Sequence, residues 1–466
     1  MKYKLLFLFL IVATVIYAQN QPTVYSFENF IKQVAIQHPT AQQIQLLAAR
    51  AKLELQRARG GTDPILESQY DRKLFNESNY YNLAKINILI PTYYGVSFEA
   101  GFLSNSGDYV NPEDKTPYNG QAYAGVNVNL LQGLLTNERK VALEQSKLLI
   151  EINTNQAQNL INNLLYDAAY VYWEWSFAYN EVKIWEQAYN LATFRLAATR
   201  ESFIFGDKPA LDTLETYSNL LDRQLRMQEA RLDFSQATIM LNNYLWQNNN
   251  PSELPPLAIP TAIEENIIID SVFYNRILSN LATQHPEMRL YNLQLSSLNI
   301  DQQLKNNKLL PKLDLKYNFL AYGGTNFFPN SGLDFANNYK LGLKFSYPLL
   351  TRQSRADVNL NQIKTTEVKF KQAQKQLELS NKLKNYYVEM QNYQQQINIL
   401  KQNVRNYETL LAAEYEKFRL GESSIFVLNS REIKLIETQQ KLLATLTKFQ
   451  KAKSSLSWVA AQLANF

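Results

Sequence analysis

Two stretches of the chain, residues 134–205 and 351–420, contain neither proline nor glycine. At about 1.5 Å of rise per residue, each stretch could form one continuous α-helix about 105 Å long. Helices in globular proteins average about 11–12 residues, because a compact core needs no longer ones. The two stretches therefore predict very long helices in place of an ordinary globular core.

Apolar residues recur in both stretches at alternating spacings of four and three. In the second stretch they are Leu379, Leu383, Tyr386, Met390, Tyr393, Ile397, Leu400, Val404, Tyr407 and Leu411. In the first stretch they are Leu164, Ala168, Val171, Trp175, Ala178, Val182, Trp185, Tyr189, Ala192 and Leu196. An ordinary amphipathic helix of period 3.6 is the alternative, but its phase would drift out of this pattern. The pattern favours a left-handed coiled coil.

Each long stretch ends at a glycine, Gly206 or Gly421, which can take the left-handed conformation that closes a helix. Shorter helices are predicted at 39–61, 209–248, 267–309 and 424–464. They span 23, 40, 43 and 41 residues, so pairs of them could stack end to end beside a long helix. Each chain would then supply four helical columns of full length.

The two halves of the chain show the same order of features. Gln37-His38-Pro39 recurs as Gln284-His285-Pro286, and Pro64 and Tyr70 recur as Pro311 and Tyr317 at the same offset. At a second fixed offset, Tyr172, Glu174, Phe203 and Gly206 recur as Tyr387, Glu389, Phe418 and Gly421. We therefore predict one repeat at 19–247, a proline-rich linker at 248–262 and a second repeat at 263–466.

Alternating apolar and polar residues predict β-strands between the helices. The strands are expected near 65–74, 122–130, 312–321 and 339–348. Residues 84–103 alternate in the same way and form a possible extra hairpin, which could add strands to the sheet or extend an external loop. A soluble sheet with its apolar face on a core and a lipid-facing barrel would both show this alternation. In a barrel, the polar segment 323–338 would connect the last two strands outside the cell.

The N-terminal residues 1–18 are typical of an export signal, with Lys2 and Lys4 before an apolar run and Ala18 at a plausible cleavage point. A membrane anchor is the alternative, but the run is short for a membrane span. Beyond it, no stretch approaches the ~20 consecutive apolar residues that a spanning helix needs. The mature chain could therefore cross a membrane only as a closed β-barrel, which satisfies every backbone polar group in lipid.

The sequence contains no recognisable catalytic or metal-binding constellation. It has no cysteine, no glycine-rich phosphate loop and two histidines, His38 and His285. Both histidines precede a proline at a predicted helix start, which favours a structural role. The net charge of +5 is spread along the chain, so a nucleic-acid partner is not expected. We expect no enzyme activity, no cofactor and no metal.

The predicted strands are too few to enclose water in a single chain. An aqueous bore needs more than about eight strands, so copies would have to combine. With about four strands per chain, three copies would supply a barrel of about twelve strands and twelve helical columns, which would continue the barrel as a hollow cylinder. The fold class predicted is thus an α+β membrane protein, in which a trimeric β-barrel continues into a long α-helical coiled-coil barrel.

In these features the chain resembles the TolC-type outer-membrane efflux proteins. The resemblance rests on the duplicated order, the His-Pro pairs, Pro348 to Leu350, and the Phe-x-x-Gly turns that end at Gly206 and Gly421. It implies a homotrimer in the outer membrane that extends into the periplasm. It also implies a passive exit duct of a tripartite efflux or type I secretion system, with a periplasmic adaptor and an inner-membrane pump as partners.

The same resemblance suggests where such a duct would work. Phe205-Gly206-Asp207 and Leu420-Gly421-Glu422 would form the periplasmic tips that contact the adaptor. Asp212 and Glu215, three residues apart and so on one helical face, are candidates for an entrance gate that attracts cations. The alternative is that they stabilise the start of their helix through its dipole.

A different function stays open at the level of sequence. A periplasmic coiled-coil scaffold or adaptor that never enters the membrane would explain the helices and the duplication, but it would not explain the alternating Leu, Tyr and Phe strands. The transported substrate, the class of pump, the ion selectivity and the resting state of the entrance cannot be read from the sequence.

Overall fold

The computed structural model describes residues 23–255, 257–264, 271–321 and 337–463. The predicted export signal and nearly all of the predicted loop 323–338 lie outside these ranges. The chain divides into two compact units, and each unit draws on both predicted repeats. The helical unit comprises the described residues of Met1–Leu46, Gln156–Met288 and Lys375–Phe466, and the sheet unit comprises those of Leu47–Asn155 and Arg289–Gln374. The repeat boundaries stay a prediction.

The long helices form as predicted, with 67 and 68 residues. The helices are α1 (Phe27–Gln37), α2 (Pro39–Arg59), α3 (Glu138–Ile204), α4 (Ala210–Asn242), α5 (Ser271–Gln284), α6 (Pro286–Asn307), α7 (Arg352–Arg419) and α8 (Ile425–Val459). The single helix predicted over 267–309 is wrong. The described part of this range forms two helices that break at His285, because Pro286 lacks the N–H that a continuous helix needs and clashes with the preceding turn. Helix α1 was not predicted.

Every position of both predicted coiled-coil seams is buried or half-buried in the helical unit. In α3, Leu164, Ala168 and Trp175 share a core cluster with residues of α1 and α4. In α7, Leu383 and Ile397 share a second cluster with residues of α5 and α8. The heptad pattern therefore marks the helix faces that pack against neighbouring helices.

The main sheet lies in the sheet unit and has six strands in the order β10-β9-β5-β4-β3-β2. The strands of the molecule are β1 (Thr23–Tyr25), β2 (Ile65–Phe75), β3 (Ser78–Pro91), β4 (Val96–Ser106), β5 (Gln121–Asn129), β6 (Trp246–Gln247), β7 (Asn250–Pro251), β8 (Ala258–Pro260), β9 (Lys312–Leu320) and β10 (Tyr339–Ser346). All neighbouring strands of the main sheet are antiparallel. The pairing of β5 with β9 joins sequence from the two halves.

The expectation of about four strands per chain is therefore wrong. The segment 84–103 forms most of β3 and β4, which lie between β2 and β5 in the same sheet. Its turn is fixed to the segment that leads from β5 into α3. The Gly95 N–H donates to the Leu134 carbonyl at 2.9 Å, and the Asn129 N–H donates to the Gly95 carbonyl at 2.7 Å. A Cβ at Gly95 would lie 2.6 Å from the Gly133 carbonyl oxygen, so this contact requires glycine.

The proline-rich linker contains short strands of its own. In the helical unit, β8 pairs in parallel with β1, and β6 pairs with β7. Neither is a central strand, in agreement with the prediction for proline-rich sequence. Within the described residues, none of the helices is both long enough and apolar enough to cross a membrane.

Candidate functional site

The main sheet has one apolar face and one polar face. Residues directly opposite each other on antiparallel neighbours lie on the same face, and Leu66 pairs with Ile88, as Leu341 does with Tyr317. The large exposed side chains of the apolar face are Leu66, Tyr70, Ile86, Ile88, Ile90, Phe98, Tyr339, Leu341, Leu343 and Phe345. They cover strands from one edge of the sheet to the other.

The polar face holds charged side chains that pair with each other. At its centre, the Glu99 carboxylate accepts a hydrogen bond from the Tyr123 hydroxyl at 2.6 Å. Lys316 Nζ lies 2.6 Å from one oxygen of the same carboxylate, and Lys85 Nζ lies 3.2 Å from the other. The buried carboxylate is thus surrounded by donors. Polar-face residues such as Asn127 and Asp314 also line a cavity of about 980 Å³.

The polar face is the more enclosed of the two. Ile88, on the apolar face, is 45% exposed, whereas its neighbour Asn87, on the polar face, is 3% exposed. A soluble sheet shows the reverse, because burial of apolar area is what stabilises it in water. A contiguous exposed apolar surface of this extent marks a site that another apolar phase or partner covers.

The two predicted tips are closed by the same helix-ending motif. Gly206 and Gly421 have φ values of +80° and +79°. At the first tip, the Gly206 N–H donates to the Phe203 carbonyl and the Asp207 N–H to the Ser202 carbonyl, at 3.0 and 2.9 Å. The second tip repeats this pair of bonds at 3.1 and 2.9 Å. This is the Schellman motif, which satisfies the last carbonyls of a helix and needs a left-handed residue.

The tips lie side by side in the helical unit and carry exposed apolar side chains. Lys208 Nζ, just after the first tip, lies 4.6 Å from the centre of the Phe418 ring, just before the second. The exposed apolar residues of the tips are Ile204, Phe205, Leu211, Leu420 and Phe426. The structure therefore places both predicted tip sequences close together, each with exposed apolar side chains.

A buried ion pair joins the two helical hairpins near the tips. Arg195 Nη1 on α3 lies 2.5 Å from Glu432 Oε2 on α8 and donates to Asn429 Oδ1 at 2.8 Å. This pair could not be predicted from the sequence, because Arg195 and Glu432 are far apart in the chain.

The candidate gate residues Asp212 and Glu215 lie in the first turns of α4, and both are half-buried. Within the described residues neither carboxylate forms an ion pair. Helix α4 begins without a side-chain hydrogen bond at its cap residue, Pro209. Acidic residues in this position interact favourably with the helix dipole. The position of Asp212 and Glu215 therefore agrees both with an entrance gate and with a role in stabilising the start of α4.

Both histidines act as helix caps. In each, Nδ1 accepts a hydrogen bond at 3.2 Å from the backbone N–H two residues further on, at the start of α2 or α6. His38 also bonds to the backbone of Asn243, at the end of α4, and His285 to that of Val459, at the end of α8. Burial lowers the pKa of both imidazoles below the ordinary value of 6.5. Among the described residues, no group of three or more histidine, aspartate or glutamate side chains is placed to hold a metal ion.

Comparison with solved structures finds the same fold in outer-membrane channels. The outer-membrane channel OprN matches with a TM-score of 0.64 and 13% identity over 94% of this chain and 90% of its own. CusC matches with a TM-score of 0.66 and 13% identity over 93% and 91%. VceC from Vibrio cholerae matches with a TM-score of 0.65 and 11% identity over 93% and 96%. The fold is that of outer-membrane efflux channels, with a helical part and a β-domain.

Sequence comparison finds a family match for the C-terminal part of the chain. Residues 277–461 match the model of the outer membrane efflux protein family, whereas no curated protein matches the chain. The predicted resemblance is therefore confirmed over these residues, which match the outer membrane efflux protein family, and the fold agrees with it over 93–94% of the chain. The family match over residues 277–461 and the shared fold support the predicted outer-membrane channel.

Proposed function

We propose that this chain is one subunit of a homotrimeric exit duct that serves a tripartite efflux or type I secretion system. In this proposal the main sheet lies in the outer membrane as part of a β-barrel, and the long helices line a continuous conduit through the periplasm. A periplasmic adaptor and an inner-membrane pump are the partners. The duct carries out no chemistry, so the pump must supply the energy for transport.

The sidedness of the main sheet carries this proposal. Its large apolar residues point outward, while Glu99 and its lysine partners lie on the enclosed face. A sheet with lipid outside and water inside has this arrangement, with apolar and polar residues alternating along each strand. A periplasmic scaffold without a membrane contact would leave the apolar face in water, which is unfavourable in proportion to its area.

Reconstitution in a planar lipid bilayer tests the proposal directly. We expect stepwise conductance from the purified protein and a trimer band on unheated gel electrophoresis that converts to a monomer band on heating. A soluble monomer without conductance would contradict the duct and support the scaffold. The chain lacks cysteine, so the trimer band cannot arise from disulfides.

The tips are proposed to contact the adaptor through their apolar surface. We expect Phe205→Asp combined with Leu420→Asp to abolish export in a strain that depends on this chain, because charges would replace the exposed apolar contacts. Conductance and the trimer band should be unchanged. Leu232→Asp provides the control, since Leu232 is an equally exposed residue of α4 outside the tips. Unimpaired export by the double variant would contradict adaptor contact at the tips.

Asp212 and Glu215 are proposed to form the entrance gate, with six carboxylates in a trimer. Closely spaced carboxylates attract cations and raise their local concentration. We expect Asp212→Asn with Glu215→Gln to lower the preference for cations in single-channel recordings. Asp233→Asn, on the same helix but outside its first turns, is the control. An unchanged cation preference in the double variant would leave only the helix-dipole role.

A further inference from the structure

A small cavity lies beside the tips, where the two helical hairpins meet. The first hairpin consists of α3 and α4, and the second consists of α7 and α8. The cavity has a volume of about 200 Å³, and residues of α3, α7 and α8 line it together with Lys208, which follows the first tip. All of these residues belong to the helical unit. We call this space the tip cavity.

The walls of the tip cavity are largely apolar. Leu191, Phe194 and Ala198 recur along α3 at spacings of three and four residues, so they share one face of the helix. On the second hairpin, Phe418 and Leu428 line the cavity. Leu428 is fully buried, whereas Phe194 is 65% exposed. The cavity thus extends from the surface of α3 to the core between the hairpins.

Every charged side chain that lines the tip cavity is a cation. These side chains are Arg195, Lys208 and Arg419, and no carboxylate is among the lining residues. Arg195 is paired with Glu432 at 2.5 Å. Arg419 lies 3.0 Å from Glu416. Within the described residues Lys208 forms no ion pair, so it supplies the uncompensated charge of the cavity.

The ammonium group of Lys208 lies directly at the apolar wall. Its Nζ is 4.6 Å from the centre of the Phe418 ring. An anionic group at Nζ would gain a charge-assisted hydrogen bond. An apolar body attached to that group would cover side chains that are exposed to water, which is favourable in proportion to the area covered. A cationic ligand would instead meet three like charges.

We propose that the tip cavity binds a small amphipathic anion, with its carboxylate or sulfonate at Lys208 and its apolar ring or chain between the two hairpins. The volume limits the size of this ligand. Pockets for drug-sized ligands span about 300–1,000 Å³, so a cavity of about 200 Å³ takes one small ring system or one short chain and excludes a lipid with two chains. The inference goes beyond the proposed function, because a passive duct needs no such ligand.

A ligand in the tip cavity would contact both hairpins at once. A ligand that binds one arrangement of two elements better than another shifts the equilibrium toward that arrangement. The bound anion would therefore hold the hairpins together beside the tips, close to the buried pair of Arg195 and Glu432.

Equilibrium dialysis of the purified full-length protein tests the proposal, with naphthalenesulfonate as the probe. Protein-free detergent in a parallel chamber corrects for partition of the probe into micelles. We expect saturable binding of the sulfonate. Naphthylmethylammonium has the same ring system and the opposite charge, and it should show no saturable binding. The proposal is wrong if the sulfonate does not bind or if both probes bind equally well.

A charge variant locates the anionic group of the probe. We expect Lys208→Gln to weaken sulfonate binding about tenfold, because one charge-assisted hydrogen bond is lost. Lys183→Gln is the matched control. Lys183 also lies against an aromatic ring, with Nζ 4.5 Å from the centre of the Tyr179 ring, but it does not line the tip cavity. An equal loss of affinity in both variants would contradict the assignment.

A filled cavity provides an independent measurement. We expect Ala198→Leu to abolish sulfonate binding, because the larger side chain would occupy the tip cavity. Ala197→Leu should bind like the original protein, since Ala197 is the preceding exposed residue of α3 and does not line the cavity. Thermal unfolding of both variants checks that they fold. Binding that survives Ala198→Leu would refute the proposed site, whereas conductance and the trimer band test the duct separately.

Discussion

Replacing Arg195 with alanine should destabilise the helical unit by about 3–5 kcal/mol, the cost of removing one partner from a buried ion pair. The size of the effect follows from burial. The side chains of Arg195 and Glu432 are 11% and 4% exposed, and Arg195 Nη1 lies 2.5 Å from the Glu432 carboxylate. Alanine would leave that carboxylate buried without its cation, and the bond to Asn429 would be lost as well.

The exposed pair between Arg231 and Glu186 provides the control. Its atoms lie 2.8 Å apart, but the two side chains are 56% and 41% exposed. Solvent screens such a pair, so Arg231→Ala should cost at most about 1 kcal/mol. The measurement is the free energy of unfolding in guanidinium, followed by tryptophan fluorescence in detergent.

A second variant separates the loss of the pair from the loss of packing. Arg195→Leu with Glu432→Leu removes both charges and should recover most of the stability, because no unpaired charge stays buried. The reasoning would be refuted if Arg195→Ala cost no more than Arg231→Ala. It would also be refuted if the double variant were as unstable as the single one.

Three further outcomes follow from the structure. Stability should fall as the pH drops through 6.5, because burial lowers the pKa of His285 in the folded state while the unfolded chain takes up the proton. The variant His285→Asn keeps a side-chain oxygen that can cap the helix, and its thermal unfolding should depend less on pH. Gly206→Ala and Gly421→Ala should each cost about 1–2 kcal/mol in chemical unfolding, because φ is near +80°, although no atom lies within 4 Å of the new Cβ. Ile88→Lys should reduce trimer in the outer membrane if Ile88 faces lipid, where lysine costs about 2–4 kcal/mol at mid-depth; an unaffected trimer would place this face in water.

The two long helices and their ends could be predicted from the sequence to within a few residues. The predicted stretch 134–205 became Glu138–Ile204, and 351–420 became Arg352–Arg419. The single helix predicted over 267–309 was wrong because Pro286 lies inside this range, and the backbone of a proline interrupts a helix. The strand positions were also predicted correctly, but the number of strands in the sheet was not.

The candidate site also has features that could be predicted from the sequence and features that could not. The tip glycines could be found because a helix that ends at an isolated glycine needs no information from elsewhere in the chain. The pair of Arg195 with Glu432 could not be found, since its partners come from the two separate hairpins. Asp212 and Glu215 were predicted as gate candidates from their spacing, which is compatible both with a role in the entrance and with a role at the helix start.

The sequence by itself determined the long coiled-coil helices, the glycine turns and the alternating strands, because each depends on backbone geometry and side-chain period within one segment. Only the tertiary structure decided that the hairpin of β3 and β4 joins the main sheet, that the polar face is the enclosed one, and which residues meet between the hairpins. These features depend on contacts between segments distant in the chain, which local periodicity does not specify.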